Sequence, residues 1–322
     1  LLCRECDPYY GHFAAERLMS IPGAASPLFL GAAVAEEAAY QIDRSLRFNS
    51  ADSAYLDRTP SSAGNRKTWT WSGWIKRSKF GSDSRLFDAY TSQSDTGYLL
   101  LGFSSADKLI ISGWGTNWRI TSRVFRDPSA FFHLVVAFDV TQSTASDRIK
   151  FYINGQQVND FDTNNAPAQD TDHAVNGAFQ HNIGRYSPGP SQYFDGYLAD
   201  VHFIDGQALA PTDFGETDDN NNWNPKAYSG TYGTNGFHLD FSDTSDLGAD
   251  AAGSNDWTPN NLVGSTPGLS TADQGFDAVT YSGNGSTQSI SGLNFQPDFV
   301  WLKESGPRNN VSHQLYDVVR GT

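Results

Sequence analysis

Aromatic rings set in turns are the side chains of this sequence best suited to recognition chemistry. Trp114 and Trp118 flank Gly115-Thr116-Asn117, and Tyr186 and Tyr193 flank the stretch from Ser187 to Gln192. A ring in a turn can stack on the apolar face of a sugar while nearby amides and carboxylates take its hydroxyls. Trp114, Trp118, Asn117, Tyr186 and Tyr193 are therefore the candidate ligand-binding residues. The competing role for each ring is to cap a hydrophobic core. Between these groups, Asp160, Asp162, Asp170 and Asp172 sit in a polar stretch from Asn159 to Gln180, where a solvated loop is the alternative to binding.

Clustered carboxylates raise a second possibility. Asp240, Asp243, Asp246 and Asp250, with Ser242 and Ser245 among them, are the densest group of hard oxygen ligands and form the candidate calcium site. Their spacing is not that of an EF-hand, and a solubilising acidic linker is the competing reading. Catalysis has less to work with. Retaining sugar hydrolysis needs two carboxyl groups about 5–5.5 Å apart. The chain holds six glutamates, at 5, 16, 36, 37, 216 and 304, so none lies between Ser45 and Gly215. Asp pairs such as Asp195 with Asp200 are left for that role. The seven histidines are scattered, with His133 and His202 inside expected strands. No Gly-x-Ser-x-Gly elbow, phosphate loop or His-Glu-x-x-His motif occurs. Cys3-x-x-Cys6 could be half a zinc site or a redox pair, but no second pair completes it.

The elements that would hold these residues are strands. Period-two alternation with frequent turn residues runs from Ser45 to about Gly215. It is clearest in Thr68–Lys76, where Trp69 and Trp71 share one face and threonines the other. Further strands are expected at Ser84–Tyr90, Tyr98–Phe103, Lys108–Ser112, Trp118–Ser122, Phe132–Phe138, Arg148–Ile153, Asn182–Gly184 and Gly196–Ile204. Asn154-Gly155 suits a tight hairpin turn. About a dozen short strands in one unit fit a two-sheet sandwich better than a small barrel. After Asp218 the composition turns to Asp, Asn, Gly, Ser and Pro, with one strand expected at Gly236–Phe241. Alternation returns at Phe299–Lys303.

Composition narrows the partners. Acidic side chains outnumber basic ones 36 to 22, giving a net charge of -14 that repels phosphate backbones and anionic membranes. No nucleic-acid partner is expected. No stretch approaches the ~20 apolar residues of a membrane span. Met19 is the only methionine, so residues 1–18 are expected to be a non-native upstream extension. Pro27–Ala35 could be the end of a cleaved signal, but no Lys or Arg lies between Met19 and Pro27, and an N-terminal docking segment is favoured.

Four ordered blocks carry a resemblance to a known family: Ser45–Asn49 with Asp52–Leu56, Trp69–Lys76, Phe132–Asp139, and Phe194–Val201, with Ile149–Gln156 between the last two. Together they resemble the laminin-G/concanavalin A-like family over the central half of the chain. The resemblance implies an all-β, two-sheet antiparallel jelly-roll sandwich. A narrower resemblance is to structural proteins of marine tailed bacteriophages. It rests on Ser45–Lys76 with Ala63–Trp69, on Gly236–Leu262 with Asn255–Asn261, and on Pro297–Lys303. It implies a virion protein of the tail or fibre type.

The expected organisation is thus an upstream extension (1–18), a docking segment (19–44), the sandwich (45–217), an Asp/Asn/Gly-rich, loop-rich connector (218–275) and a truncated second β domain (276–322). The expected function is non-catalytic: an extracellular or virion protein whose lectin-like sandwich binds a surface glycan or a neighbouring virion protein, as a monomer or homo-oligomer. Calcium is the one cofactor considered. The alternatives are a purely architectural decoration or fibre-shaft protein, and an Asp-dependent polysaccharide depolymerase.

Overall fold

The computed structural model describes residues 40–262, 282, 289, 299–302 and 314–317. The proposed upstream extension, most of the docking segment and most of the second β domain lie outside the described residues, as do Cys3 and Cys6.

The chain folds as strands joined by turns. The first seven are β1 (Leu46–Phe48), β2 (Tyr55–Arg58), β3 (Thr68–Arg77), β4 (Ser84–Tyr90), β5 (Tyr98–Phe103), β6 (Lys108–Ser112) and β7 (Asn117–Val124). Then come β8 (Phe132–Asp139), β9 (Ile149–Ile153), β10 (Gln156–Gln157), β11 (Phe161–Asn164), β12 (His181–Ile183) and β13 (Gly196–Asp205). The remainder are β14 (Gly215–Thr217), β15 (Trp223–Pro225), β16 (Phe237–Leu239), β17 (Thr258–Asn260), β18 (Phe299–Leu302) and β19 (Gln314–Asp317). Two antiparallel sheets carry the core. The smaller runs β1-β13-β3-β8-β9-β10, with β16 also on β13, and the larger runs β11-β7-β6-β5-β4-β12-β2-β17. The chain is therefore an all-β antiparallel sandwich of the jelly-roll kind. Among the described residues no helix is long and apolar enough to cross a membrane.

Alternation explains the core. Trp69, Trp71 and Ile75 of β3 and Leu134, Val136 and Phe138 of β8 point inward against Phe87, Leu99, Leu101 and Phe103 of the other sheet. The Trp69 and Phe138 rings stack 4.6 Å apart at 8°. Each fully buried ring of this size contributes roughly 1.5–3 kcal/mol from the area it removes from water. One buried ion pair joins this core: Arg77 donates to Asp107 at 3.0 Å and to the Phe125 carbonyl at 2.6 Å.

Two local departures matter later. Along β13 the pairing with β3 slips between Ala199 and His202, and Asp200 takes φ +51. This bulge reverses the phase, so Leu198 faces the core before it and Val201 and Phe203 after it. The stretch after Asp218, expected to hold one strand, contributes β15, β16 and β17. β16 joins the smaller sheet and β17 the larger. Phe237, Leu239 and Trp257 from this stretch are buried in the common core. Three-residue strands between Asp- and Asn-rich turns are too short to show alternation in a sequence.

Candidate functional site

The face of the larger sheet turned away from the core carries two of the five predicted site residues, Trp114 and Tyr186. Phe87 and Ala89 enter the core, so Asp88 and Tyr90 point outward; Leu99 and Leu101 do likewise for Tyr98 and Leu100. Tyr90 and Tyr98 are cross-strand partners with ring centroids 6.1 Å apart. Trp114, at the turn between β6 and β7, leans over both, 6.1 Å from Tyr90 and 5.8 Å from Tyr98. Tyr186 meets Tyr98 from the other side, edge-on at 5.7 Å. The turn is tied down, because the Thr116 hydroxyl donates to Asp95 at 2.9 Å. Four rings thus form one row, in which Trp114, Tyr90 and Tyr186 are half-buried and Tyr98 is buried.

Beneath this row lies a carboxyl group that sequence reasoning did not single out. Asp88 is fully buried and accepts a hydrogen bond from the Ser187 N–H at 2.8 Å and another from the Ser187 hydroxyl. Asn182 donates to the same hydroxyl. Burial pushes the Asp88 carboxyl up to about 7, against the pull of Ser187 and Arg85. Burial and the nearby Asp88 also raise the Tyr98 hydroxyl far above its ordinary range. The Arg85 guanidinium lies 5.7 Å from the Tyr186 ring centroid.

The other predicted residues fall elsewhere. Trp118 is one position into β7 and turns inward; it is 2% exposed and meets His173 edge-on at 5.1 Å. It is a core residue, and its ring offers no face to a ligand. Asn117 is exposed, and its carbonyl accepts from Asn165 at 3.2 Å. Tyr193 pairs with Tyr55 at 6.3 Å, and Arg185 covers Tyr55 at 4.1 Å. The stretch expected to be a polar loop contributes the edge strand β11 beside β7, where Asp160 and Asp162 accept hydrogen bonds from Ser122, and Asp162 also pairs with Lys108.

The expected calcium ligands do not converge. Asp240 accepts the Ser242 N–H at 2.9 Å, Asp243 the Ser245 N–H at 2.8 Å, and Asp246 the Gly248 N–H at 3.0 Å. Asp250, 7% exposed, accepts the N–H groups of His238, Ala252 and Asn255 at 2.8–3.0 Å. Each carboxylate closes its own turn, which is why Asp recurs there.

Among the described residues, Asp200, His202 and His238 are the one group of three or more side chains close enough to share a metal ion. One oxygen of Asp200 accepts from His238 at 2.7 Å and from Tyr40 at 2.8 Å, with His202 Nε2 at 3.2 Å. The two imidazoles stack 4.1 Å apart at 13°. Stacked parallel rings aim their lone pairs alongside one another rather than at one point, so the arrangement is that of a hydrogen-bonded network. Asp195 lies in a different network, accepting from Arg47 at 2.7 Å and from Ser50 at 2.8 Å.

Comparison with known proteins agrees with this architecture. A laminin G family model, described as the concanavalin A-like lectin/glucanases superfamily, matches residues 49–213. A second model, described as a domain of unknown function, matches residues 271–322. No curated protein matches the chain. Among solved structures, a heptameric SAP-like pentraxin from Limulus polyphemus is 16% identical, with 53% of this chain and 80% of that chain covered and a TM-score of 0.40. A Trypanosoma rangeli sialidase in complex with sialic acid is 14% identical; the match covers 46% of this chain but 22% of that one, with a TM-score of 0.33. Domains LG4-5 of the mouse laminin alpha1 chain are 11% identical over 63% of this chain and 48% of that chain, with a TM-score of 0.36.

Proposed function

We propose, from the premise that this chain belongs to the concanavalin A-like lectin/glucanases superfamily, that its sandwich is a non-catalytic module binding a surface glycan. The observation that carries this reading is the ring row Tyr90, Trp114, Tyr98 and Tyr186 on the outer face of the larger sheet. The half-buried indole of Trp114 supplies a stacking surface, and the residues around it supply hydroxyls. The setting we propose is a virion structural protein of the tail or fibre type, acting outside the cell, with other virion proteins or further copies of the chain as partners. Its support is the sequence resemblance in Ser45–Lys76 and Gly236–Leu262.

Binding without cleavage is favoured because the carboxyl groups at hand are committed. Asp88 is fully buried, and Asp195 and Asp200 belong to separate bonded networks. Hydrolysis would need two such groups flanking one bond.

The test is binding of the full chain to a glycan array and to host cells, beside Trp114→Ala and Tyr186→Ala. Saturable binding that both substitutions weaken at least tenfold is the expected result. No binding to any glycan or cell would overturn the proposal in favour of an architectural subunit, and release of new reducing ends would favour a depolymerase.

A further inference from the structure

We infer that the sandwich carries a second carbohydrate site, for an uncharged glycan segment, in the cleft between the smaller sheet and the hairpin β14–β15. This goes beyond the reading above and rests on a different sheet. The cleft holds about 620 Å³ and is lined by three rings, those of Trp74, Phe131 and Trp223. Four carboxamides, Asn154, Gln156, Asn221 and Asn222, and the hydroxyl of Thr217 complete the wall. No charged side chain lines it. Rings for the apolar faces of a sugar, with amides that both donate and accept for its hydroxyls, make the composition expected of a neutral saccharide site.

The amides have capacity to spare. The Asn154 side-chain oxygen accepts the His133 N–H at 2.7 Å, and its NH2 group has no partner among the described residues. The side chains of Gln156 and Asn221 have none either, and all three residues are exposed. Asp218, in the same hairpin, is occupied within its own turn, accepting N–H groups from Asn220 and Asn222 at 2.9 and 2.7 Å. Its negative charge on one side, and the Lys76 ammonium 5.9 Å from the Phe131 ring centroid on the other, offset each other and leave no net charge to favour an ionic ligand.

The rings are held in place before any ligand arrives. Trp74, His133 and Trp223 stack in sequence, 5.0 Å apart at 21° and 6.0 Å at 19°. The Trp223 indole N–H donates to His133 Nδ1 at 3.0 Å. An indole can only donate, so Nδ1 is unprotonated, Nε2 bears the hydrogen, and it donates to the Ser72 hydroxyl at 2.8 Å. His133, 1% exposed, therefore fixes the plane and position of Trp223 from beneath. Gly155 and Gly215 leave room for the indole, since a Cβ at either would lie 2.5 Å from its ring. Such preorganisation lowers the ordering cost of binding. Because the cleft and the Trp114 row lie on outer faces of opposite sheets, one ligand cannot stack on both at once, and one sandwich could hold two glycan chains.

The test is titration of the full chain with a panel of neutral oligosaccharides and their uronate-containing counterparts, followed by calorimetry and tryptophan fluorescence. Trp223→Ala should weaken neutral-probe binding at least tenfold. Asn221→Gly, which keeps the φ of +65 accessible, and Gln156→Ala, at an exposed residue, should each weaken it about three- to tenfold. Trp114→Ala should leave that component unchanged, so loss of the Trp114 site and loss of the cleft read out separately. The inference is overturned if no neutral probe binds, if uronates bind the cleft more tightly than their neutral counterparts, or if neutral binding survives all three cleft substitutions.

Discussion

On the outer face of the smaller sheet, His133 is buried with both ring nitrogens bonded to neutral partners, Ser72 and Trp223. On the outer face of the larger sheet, Asp88 is buried with Ser187 as its main partner. Both positions solve one problem, the covering of a polar group on a sheet by a returning loop. They differ in what a change of pH does. Burial pushes His133 down to about 3, so it stays neutral at any pH where the protein is ordinarily handled. Burial pushes Asp88 up to about 7, so it changes charge within that range. A covered histidine with neutral partners favours the fold more as pH rises, because in acid it charges on unfolding, whereas a covered carboxyl favours the fold less and ties the 185–193 loop to pH in the opposite sense.

The sharpest way to break this comparison is to remove the histidine. His133→Ala should cost about 2–4 kcal/mol, from the cavity and from the Ser72 and Trp223 groups left unpaired. Urea unfolding would measure it, and the loss should be about 1–2 kcal/mol smaller at pH 5 than at pH 8, because the unfolded histidine takes up a proton near its ordinary value whereas the folded one, held down to about 3, does not. A loss equal at the two pH values would contradict the assignment, since it would mean that His133 binds its proton as readily in the folded chain as in the unfolded one.

Asp88→Asn should give the opposite pattern. The folded-state value of about 7 lies above that of an unfolded aspartate, so the folded chain binds this proton more tightly. The stability it brings is complete below about pH 4 and is lost as pH rises through 7. Relative to the Asn variant, the native chain should therefore lose about 1–3 kcal/mol between pH 4 and pH 8. A constant difference between the two proteins across that range would contradict the assignment.

Trp114→Ala is the mildest change. The ring is half-buried and packs edge-on to Tyr98 and tilted against Tyr90, so the expected cost is below about 1.5 kcal/mol, with altered near-ultraviolet dichroism from both tyrosines. A much larger loss would make Trp114 a core residue like Trp118.

The contrast between those two tryptophans also shows what a sequence can display. Strands with clean alternation were legible almost end to end: Thr68–Lys76 is observed as Thr68–Arg77, and Ser84–Tyr90, Tyr98–Phe103 and Lys108–Ser112 are unchanged. Asn154 and Gly155 take φ +48 and +78, as their tight turn requires. Trp114 and Trp118 looked equivalent beside one turn, but strand parity sends Trp118 into the core. Tyr98 was hidden because it opens an apolar run, Leu99-Leu100-Leu101, in which no residue type marks the outward face. In β13 the inserted Asp200 exchanges inside for outside midway along the strand, which no fixed period can describe. The acidic run Asp240–Asp250 showed its composition plainly. Its geometry, Asp240, Asp243 and Asp246 each turned back on its own backbone and Asp250 also holding the His238 N–H of β16, follows from Asx turns and a cross-link that a ligand count does not register.

The pairing of β2 has a consequence for how the chain is made. It lies between β12 and β17, and Asn260 donates to Asp57 across 203 residues of chain. β1 likewise closes on β13, pairing Leu46 with Leu198. Contacts so distant in sequence slow folding, because the loop must close before the pairing rewards it. During synthesis, the first two strands wait with unpaired edges until most of the sandwich has left the ribosome. The first strands of the sandwich to be translated are among the last to find their neighbours, and over that interval an unpaired strand edge is most open to another nascent copy.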